Sequence, residues 1–576
     1  MHVVKFFIGL FPAEIRKGMR KNIWLFNLYS QSLQKSGLFY GFPSPQKLQK
    51  LYIKIVKEQT SEIAKTVKSF SDDIEVNGLL VLTGKYKYDR DAIEFMLKLR
   101  SVNNIYVTGS EKLVKHHLKE LSDLSINNVF NLNALTGNEL SKPLLVLSGG
   151  DVAHPQAVTF MLSHVGQPVK NCILYCDMDY LDEANNPHLA EFYPGWNPDL
   201  QLATGYVKTG VILIGEKVIG NFCEFSQEYD SNAILSIWLV NAFLENLQIP
   251  ITHVPFSLVH RSLKTQYLWE KELRHLNRKE YISYKQGEGD VASIKWDASI
   301  TPLVSLIIPT KNAKQLVQNC IESIISKTTY SNYEILLIDN NSDDLESLRY
   351  FEQISQIESK VRVLKYSFDF NYSAINNFAV EHANGDVIGL INNDIEVISP
   401  TWLGDMVGHV LRSDIGCVGA KLYYPDERVQ HAGVVMGYGG GAGHAHKYFP
   451  RYHPGYLNRL AATNNFSAVT AACLLVSKRD YLAVGGLDEI NLMVAFNDVD
   501  FCLKVLELGR RNLYCAEAEL FHHESVSRGA DDTKEKRERF EKELHYIQTK
   551  WASYIDEDPA YNPNLTLRRE NFSIKE

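Results

Sequence analysis

The chain has 576 residues, of which 45% are hydrophobic and 22% are charged, and its net charge is −8. At about 100–250 residues per domain, this ordinary globular composition predicts two or three domains, each with its own core. The sequence has no run of about 18 apolar residues, and no small-residue cleavage site follows the apolar stretch near its start. We therefore expect neither a membrane-spanning helix nor a secretory signal.

Positive charge is concentrated at the N-terminus, where residues 1–70 contain twelve Lys and Arg against three Glu. The segment IRKGMRKNIWLFNLYSQSL mixes basic and large apolar residues at helical spacing. One interpretation is a helix lying on an anionic membrane surface; the other is a helix packed on its own domain with its basic face in water. We predict residues 1–74 as a basic helical extension. The acidic remainder argues against nucleic acid as a partner.

The eight cysteines are scattered, and only Cys172 and Cys176 form a close pair. No second pair completes a zinc pattern, and most of the cysteines lie in apolar surroundings where a buried thiol is expected. We predict a cytoplasmic protein, with the basic N-terminus as the candidate contact to the inner face of the plasma membrane.

Residues 301–533 show the clearest pattern of secondary structure. The apolar runs VSLIIPT, YEILLID, VRVLKYS and DVIGLI alternate with segments whose apolar residues recur at helical spacing. Strands that are apolar throughout and alternate with helices predict an α/β fold with a parallel sheet covered on both faces. Ligands of such sheets bind beyond the carboxyl ends of the strands. Thr310, Asn312, Asp339 and the run Asn392-Asn393-Asp394 all follow strand ends, so we expect them to line one crevice.

The later part of this region is less regular. We predict a long mobile loop within residues 417–470, where GYGGGAG contains five glycines, three histidines follow it, and no clean period is visible. NDVDFCLKVLELGRR is a predicted helix that begins with acidic residues, which suit the helix dipole. Residues 534–576 are predicted as a charged amphipathic helix and a tail.

An ordered set of motifs resembles the bacterial family-2 glycosyltransferases, inverting enzymes of the GT-A fold that build surface polysaccharides such as O-antigen. The motifs are PTKN, LLIDNNS, LINNDIEV, VQHAGVV, AGHAH, FNDVDFCLK, HHES and DPAYNPNLTL, in this order along residues 302–576. The resemblance implies a nucleotide-diphosphate sugar donor (UDP-, dTDP- or GDP-linked), a glycan or lipid-linked saccharide acceptor, and Mn²⁺ or Mg²⁺ as cofactor.

The resemblance also implies roles for single residues. Asp394 stands where the family has its metal-binding Asp-x-Asp element, and His522 is the favoured third metal or diphosphate contact, with His523 as the alternative. The donor-binding positions are Pro309, Thr310, Asn312, Asp339, Asn376, Asn392 and Asn393. Asp498 matches the catalytic base, and partial desolvation by Phe496 and Phe501 would raise the pKa of its carboxyl group. Asp500 is expected to cap the helix or bind internally.

The first half repeats the second with altered site residues, so we predict a second GT-A-like domain over residues 75–300. GLLVLTG, NNIYVTGS and KPLLVLSGGD parallel the strands of the second half. Asn392-Asn393-Asp394 becomes Gly149-Gly150-Asp151, the acid matching Asp339 is missing, Glu228 is aligned with the base, and His260 with His522. We expect a degenerate domain; the alternative is a second active transferase. Asp177 and Asp179 form a literal DxD but align one strand later.

Three functions compete on this evidence. The first is a metal-dependent inverting glycosyltransferase acting through the C-terminal domain, and the second is a bifunctional two-site enzyme or polymerase. The third is a non-catalytic glycan-binding protein with two inactive domains. Against it stands the retention of all four expected site residues, Asp339, Asp394, Asp498 and His522. His431, His444 and His446 match family positions without an assigned role, and their spacing does not favour zinc.

Overall fold

The computed structural model describes residues 43–70, 75–123, 126–165, 171–182, 186–229, 231–261, 269–276, 282–286, 291–296, 300–523 and 533–576. The basic segment 15–33, for which a membrane-surface helix is one prediction, lies outside these residues. No helix in the described ranges is long and apolar enough to cross a membrane.

The first unit is built around a nine-stranded sheet. Its strands are β1 (Val76–Val81), β2 (Val102–Thr108), β3 (Val129–Asn131), β4 (Leu144–Ser148), β5 (Asp151–Ala153), β6 (Cys172–Leu181), β7 (Pro187–Glu191), β8 (Val211–Ile214) and β9 (Ile251–Arg261). Its described helices are α1 (Pro45–Ser69), α2 (Tyr86–Met96), α3 (Glu111–Asp123), α4 (Ala157–Ser163), α5 (Pro198–Thr204), α6 (Glu216–Glu228), α7 (Ile234–Leu244) and α8 (Trp269–Leu273).

A hairpin of β10 (Ile282–Gln286) and β11 (Ala292–Trp296) leads to the second unit, which contains a ten-stranded sheet. The strands of this unit are β12 (Val304–Thr310), β13 (Tyr333–Asp339), β14 (Val361–Lys365), β15 (Val387–Ile391), β16 (Ile395–Val397), β17 (Ile415–Tyr423), β18 (Val429–His431), β19 (Val434–Met436), β20 (Ala442–His444), β21 (Asn464–Phe466), β22 (Cys473–Ser477) and β23 (Arg511–His522). The helices are α9 (Lys314–Lys327), α10 (Leu345–Ile357), α11 (Tyr372–His382), α12 (Trp402–Val410), α13 (Lys478–Ala483), α14 (Asn497–Glu507), α15 (Lys534–Lys550) and α16 (Ala552–Asp556).

The two large sheets have the same strand order. The first runs β3-β2-β1-β4-β8-β6-β9-β5, and the second runs β14-β13-β12-β15-β22-β17-β23-β16. In both, the four strands at one end are parallel. At the other end, a short strand (β5 or β16) pairs with the long strand that comes last in the sequence of the unit (β9 or β23). The predicted α/β class, with two tandem copies and helices at both ends, is confirmed. The domain boundaries at 74/75, 300/301 and 533/534 stay predictions.

The apolar strands are buried because both faces of the second sheet are covered. Along β12, Leu306 and Ile308 join one apolar cluster, while Ile307 joins the cluster on the other face. This explains why the strand is apolar without alternation. All eight cysteines are buried and free, as the sequence predicts.

The region between β17 and β22 corrects the sequence prediction. Residues 417–470 were expected to form a long mobile loop, but they form the short strands β18 to β21 and tight turns. Tyr438 and Phe449 share an apolar cluster with Tyr561 and Phe572 of the C-terminal tail. The prediction was wrong because the covering residues lie about a hundred positions later, beyond the reach of any local period.

Polar contacts join the two units. Asp199 of α5 accepts hydrogen bonds from Arg412 at 2.5 Å and from Arg511 at 2.6 Å, both from the second unit. In the tail, Asn562 donates to Asp177 of β6 at 2.9 Å. The chain therefore returns to its first half after the second unit is complete.

Candidate active site

Polar side chains meet at the carboxyl ends of β12, β13 and β15. Thr310 and Asp339 are paired as the last residues of their strands, and Asn392 follows β15 directly. The hydroxyl group of Thr310 accepts a hydrogen bond from Nδ2 of Asn393 at 3.0 Å. The convergence predicted from the sequence is thus present in the fold.

The loops after β12 and β13 are tied together by Asn312. Its Oδ1 accepts the backbone N–H groups of Asp343 and Asp344 at 2.9 and 3.0 Å. Asp339 is buried, and its Oδ1 accepts the N–H of Ser342 at 3.0 Å. Asn312 therefore shapes the loop beside Asp339, while Pro309 precedes Thr310 in the strand.

Asn376 lies inside α11 and is fully buried. Its Nδ2 donates to the carbonyl of Tyr372 at 2.7 Å, and its Oδ1 has no hydrogen-bond partner among the described residues. The hydroxyl group of Tyr372 lies 3.4 Å from Oδ1 of Asn392 and 3.3 Å from the carbonyl oxygen of Ala471. The predicted contact between Asn376 and the donor stays a prediction. Tyr372, which lies beside Asn392, is added to the candidate site.

Asp394 and His522 are neighbours at the sheet end where β16 pairs with β23. Oδ1 of Asp394 lies 3.1 Å from Nε2 of His522, and both side chains are largely buried. His523 turns the other way, with Nε2 3.2 Å from Glu396. Of the two histidines, His522 is therefore the one that faces Asp394.

Gln430 fixes the orientation of the His522 ring. Its Oε1 lies 2.6 Å from Nδ1 of His522, and an amide oxygen can only accept, so Nδ1 carries the proton. In the neutral ring, the single lone pair of Nε2 accepts from Nδ2 of Asn392 at 3.1 Å, and Oδ1 of Asp394 lies 3.1 Å from the same nitrogen. A second partner that sets the tautomer of a histidine is a usual feature of metal-binding imidazoles.

Asp498 lies in the first turn of α14 and is half-buried. Its Oδ2 accepts hydrogen bonds at 3.0 Å from the Thr470 hydroxyl group and from the N–H of Ala471, and its Oδ1 accepts the N–H of Val499. Burial raises the pKa of the Asp498 carboxyl group above its ordinary value, although these hydrogen bonds oppose the shift.

Asp498 and Asp394 belong to one connected site. The N–H of Asn392 donates to the carbonyl of Ala472 at 3.0 Å, where β15 runs antiparallel to β22. Ala471, the preceding residue, donates its N–H to Asp498. Ala471 and Ala472, which directly precede β22, therefore join the base candidate to the segment that carries Asp394.

Asp500 has an internal role, as predicted. It is fully buried, and its Oδ1 accepts hydrogen bonds from Nε1 of Trp551 at 2.8 Å and from Lys550 at 2.7 Å. Two carboxylates two residues apart thus have separate tasks, since Asp500 anchors the C-terminal helices while Asp498 faces the site.

In the first unit, an arginine pairs with the carboxylate that corresponds to Asp394. Asp151 begins β5 three residues after the end of β4, as Asp394 follows β15, and it pairs in register with Arg261 at the end of β9. Nε of Arg261 lies 3.3 Å from Oδ1 of Asp151, and both side chains are fully buried. An internal cation therefore neutralises this carboxylate.

A second side chain occupies the strand ends of the first unit. Asp89 of α2 is fully buried and accepts hydrogen bonds from the N–H and hydroxyl groups of Thr83 at 2.9 and 2.7 Å. A Cβ added to Gly149, which stands where Asn392 does, would lie 1.9 Å from Oδ1 of Asp89. This crevice has no room for the amide present in the second unit.

The other candidates of the first unit also fall outside a site. Glu228 is exposed at the last position of α6, whereas Asp498 opens the helix that leads to the last long strand. Asp177 and Asp179 are fully buried, with hydrogen bonds to His253 at 2.7 Å and to His260 at 2.6 Å. Both acids are thus held by hydrogen bonds in the interior of the first unit.

Sequence reasoning missed Gln430, Thr470 and Tyr372. Gln430 stands directly before His431 in VQHAGVV, so a search of the motif for polar residues would have marked it. Thr470 lies in an apolar segment, AVTAACLLV, where a lone hydroxyl group is a weak signal.

Comparison with known proteins defines the class of the second unit. Residues 305–480 match the family described as Glycosyl transferase family 2, so this part of the chain is a family-2 glycosyltransferase domain. The fold and site above agree with that class, and the predicted GT-A resemblance is confirmed.

Two curated relatives extend the similarity over most of the chain. The uncharacterized protein y4gI of Sinorhizobium fredii is 38% identical over 461 residues, which are 75% of this chain and 49% of the relative. The O-antigen biosynthesis protein RfbC of Myxococcus xanthus is 30% identical over 455 residues, 74% of this chain and 34% of the relative. The chain thus spans about half or less of the length of these relatives.

Solved structures are more distant. The mannosyltransferase PcManGT from Pyrobaculum calidifontis, in complex with GDP-Man and Mn²⁺, is 13% identical with a TM-score of 0.35, and the match covers 51% of this chain and 77% of that chain.

Proposed function

We propose that the chain is an inverting, metal-assisted glycosyltransferase with one active site, in the second unit. It transfers a sugar from a nucleoside-diphosphate sugar to a hydroxyl group of a glycan or lipid-linked acceptor in surface polysaccharide synthesis. The relative named for O-antigen biosynthesis supports this substrate class. The observation that carries the proposal is the joining of Asp498 to the Asp394 and His522 pair through Asn392, Ala471 and Ala472.

The pair of Asp394 and His522 has the chemistry and spacing to hold Mn²⁺ or Mg²⁺. Oδ1 of Asp394 and Nε2 of His522 are 3.1 Å apart, which is close enough for both to bind one ion. The described residues contain no group of three or more His, Cys, Asp or Glu that could hold a metal. An ion held by these two residues and by substrate phosphates would supply Lewis-acid stabilisation of the diphosphate leaving group.

Asp498 takes the proton of the attacking acceptor hydroxyl group. Its three hydrogen bonds hold the carboxylate in one orientation, and its raised pKa brings it closer to the working pH as a base. The hydroxyl oxygen then attacks the anomeric carbon from the side opposite the leaving diphosphate. Direct displacement of this kind inverts the anomeric configuration.

The remaining polar groups hold the donor. Asp339, at the end of β13, receives the nucleobase, and Thr310 with Asn393 lines the path of the ribose and diphosphate. Nδ2 of Asn392 lies 3.1 Å from Nε2 of His522, so Asn392 is placed beside the proposed metal and diphosphate. Asn312 shapes the loop beside the nucleobase.

The first unit acts as a support for the second. Arg261 and Asp89 fill the positions that a metal and a nucleotide would need, which argues against the two-site alternative. The contacts of Asp199 and Asn562 give this unit a structural task.

The test is nucleotide release from a panel of UDP-, dTDP- and GDP-sugars with a glycan or lipid-linked acceptor, with and without Mn²⁺. The anomeric configuration of the product is read by NMR. Release that needs both acceptor and metal and gives the inverted anomer would support the proposal. The retained anomer, or full activity after chelation, would contradict it.

A further inference from the structure

His431 and His444 form a hydrogen-bonded pair that fixes the tautomer of both rings. Their Nδ1 atoms are 2.8 Å apart. Nε2 of His431 accepts the N–H groups of Gly433 at 3.3 Å and of Thr470 at 3.5 Å, so in the neutral ring the proton is on Nδ1. His431 therefore donates to Nδ1 of His444, which must carry its own proton on Nε2.

This pair lies beside the base. Thr470, whose N–H binds His431, is also the residue whose hydroxyl group binds Asp498. His444 ends β20, and a Cβ added to Gly441, just before that strand, would lie 3.7 Å from the ring of Phe496, which precedes the helix of Asp498. His444 is therefore close to two segments that hold Asp498, the one with Thr470 and the one that begins its helix.

The charge state of His444 selects the kind of group that it can bind. Burial, His431, Lys447 and His522 lower the pKa of His444 well below its ordinary value, so the ring is neutral. A neutral Nε2–H donor suits an uncharged hydroxyl group, whereas a phosphate would be better matched by an imidazolium. The ring is partly exposed, and its Nε2 makes no hydrogen bond within the described part of the chain.

We propose, building on the function proposed above, that Nε2–H of His444 binds a hydroxyl group of the acceptor saccharide next to the hydroxyl group that Asp498 deprotonates. His431 acts through His444 as a positioning residue, because it keeps the proton of His444 on Nε2. The pair thus contributes to the choice of acceptor, while the choice of donor rests with other residues.

The first test compares His444→Phe and His444→Gln with the control His382→Gln, which changes an exposed histidine on α11. His444→Phe should raise the acceptor KM about tenfold, the loss of one hydrogen bond, with an unchanged donor KM. His444→Gln keeps an N–H donor and should recover part of that loss. A rise in the donor KM alone, or no change in either KM, would overturn the proposal.

The second test does not depend on activity. In the intact chain labelled with ¹⁵N-histidine, long-range ¹H–¹⁵N spectra report the tautomer of each ring, and His444 is assigned from the signal that His444→Gln removes. A proton on Nε2 supports the proposal, and a proton on Nδ1 overturns it. If the unmodified chain transfers no sugar to any acceptor, the proposed function fails for all variants alike, which differs from a change confined to the His444 variants.

Discussion

Arg261 holds Asp151 in the first unit at the place where Asp394 faces His522 in the second. The Nε to Oδ1 distance in the first unit is 3.3 Å, and neither side chain is exposed to solvent. The same fold thus carries a pair suited to a metal in one copy and a closed ion pair in the other.

Removal of Arg261 should destabilise the chain without opening a second active site. Arg261→Ala leaves Asp151 buried and unpaired, which costs about 3–5 kcal/mol of unfolding free energy. The double variant Arg261→Met with Asp151→Leu should recover much of this loss, because an apolar pair of similar size replaces the ion pair. Urea denaturation of the intact chain measures both. Equal stability of Arg261→Ala and the unmodified chain would contradict the ion-pair role.

Asp498 and Asp500 form a matched pair for separating chemistry from stability. Asp498→Asn should lower turnover by about 10²–10⁴-fold with a small change in the melting temperature. Asp500→Asn should weaken the contacts to Lys550 and Trp551 and cost about 1–3 kcal/mol, with much of the turnover per folded molecule retained. Steady-state kinetics and calorimetry on both variants check this, and the opposite assignment of effects would show that the roles are exchanged.

The pH profile should respond to Thr470. The base works as a carboxylate, so activity falls as the pH falls through the raised pKa of Asp498. Thr470→Val removes a hydrogen bond that favours the ionised form, and the pKa should rise further. The acid limb of the kcat/KM profile should therefore move to higher pH, with Thr328→Val, remote from Asp498, as a control. A shift to lower pH would contradict the role of Asp498 as the base.

Gln430 should control the metal requirement. Gln430→Leu removes the acceptor that keeps the proton of His522 on Nδ1. Loss of such a partner typically weakens metal binding 10–100-fold, so the Mn²⁺ concentration for half-maximal activity should rise by about that factor. Gln430→Glu keeps an acceptor and should lose less. Identical metal titrations for Leu and Gln at this position would exclude His522 as a ligand.

Much of this site could be predicted from the sequence because its residues lie at the ends of strands and helices that have clear apolar patterns. Asp339 and Asp394 follow apolar runs, and Asp498 opens a regular helix. The partners that tune them, Gln430 and Thr470, come from separate segments, so only the fold reveals their contacts. The missing acids of the first unit predict a degenerate domain, but they do not predict the contacts made there by Asp89 and Arg261. Asp89 and Arg261 reach that crevice from distant parts of the chain, so no local sequence motif predicts their contacts.

The most direct test of the central claim is nucleotide release by the intact chain with Mn²⁺, compared among Asp498→Asn, Asp151→Asn and the unmodified protein. One active site in the second unit predicts that Asp498→Asn lowers release from every donor by about 10²–10⁴-fold, while Asp151→Asn keeps the turnover of the folded protein. Loss of one donor's turnover with Asp151→Asn, and of another's with Asp498→Asn, would contradict this account and establish two working transferase sites.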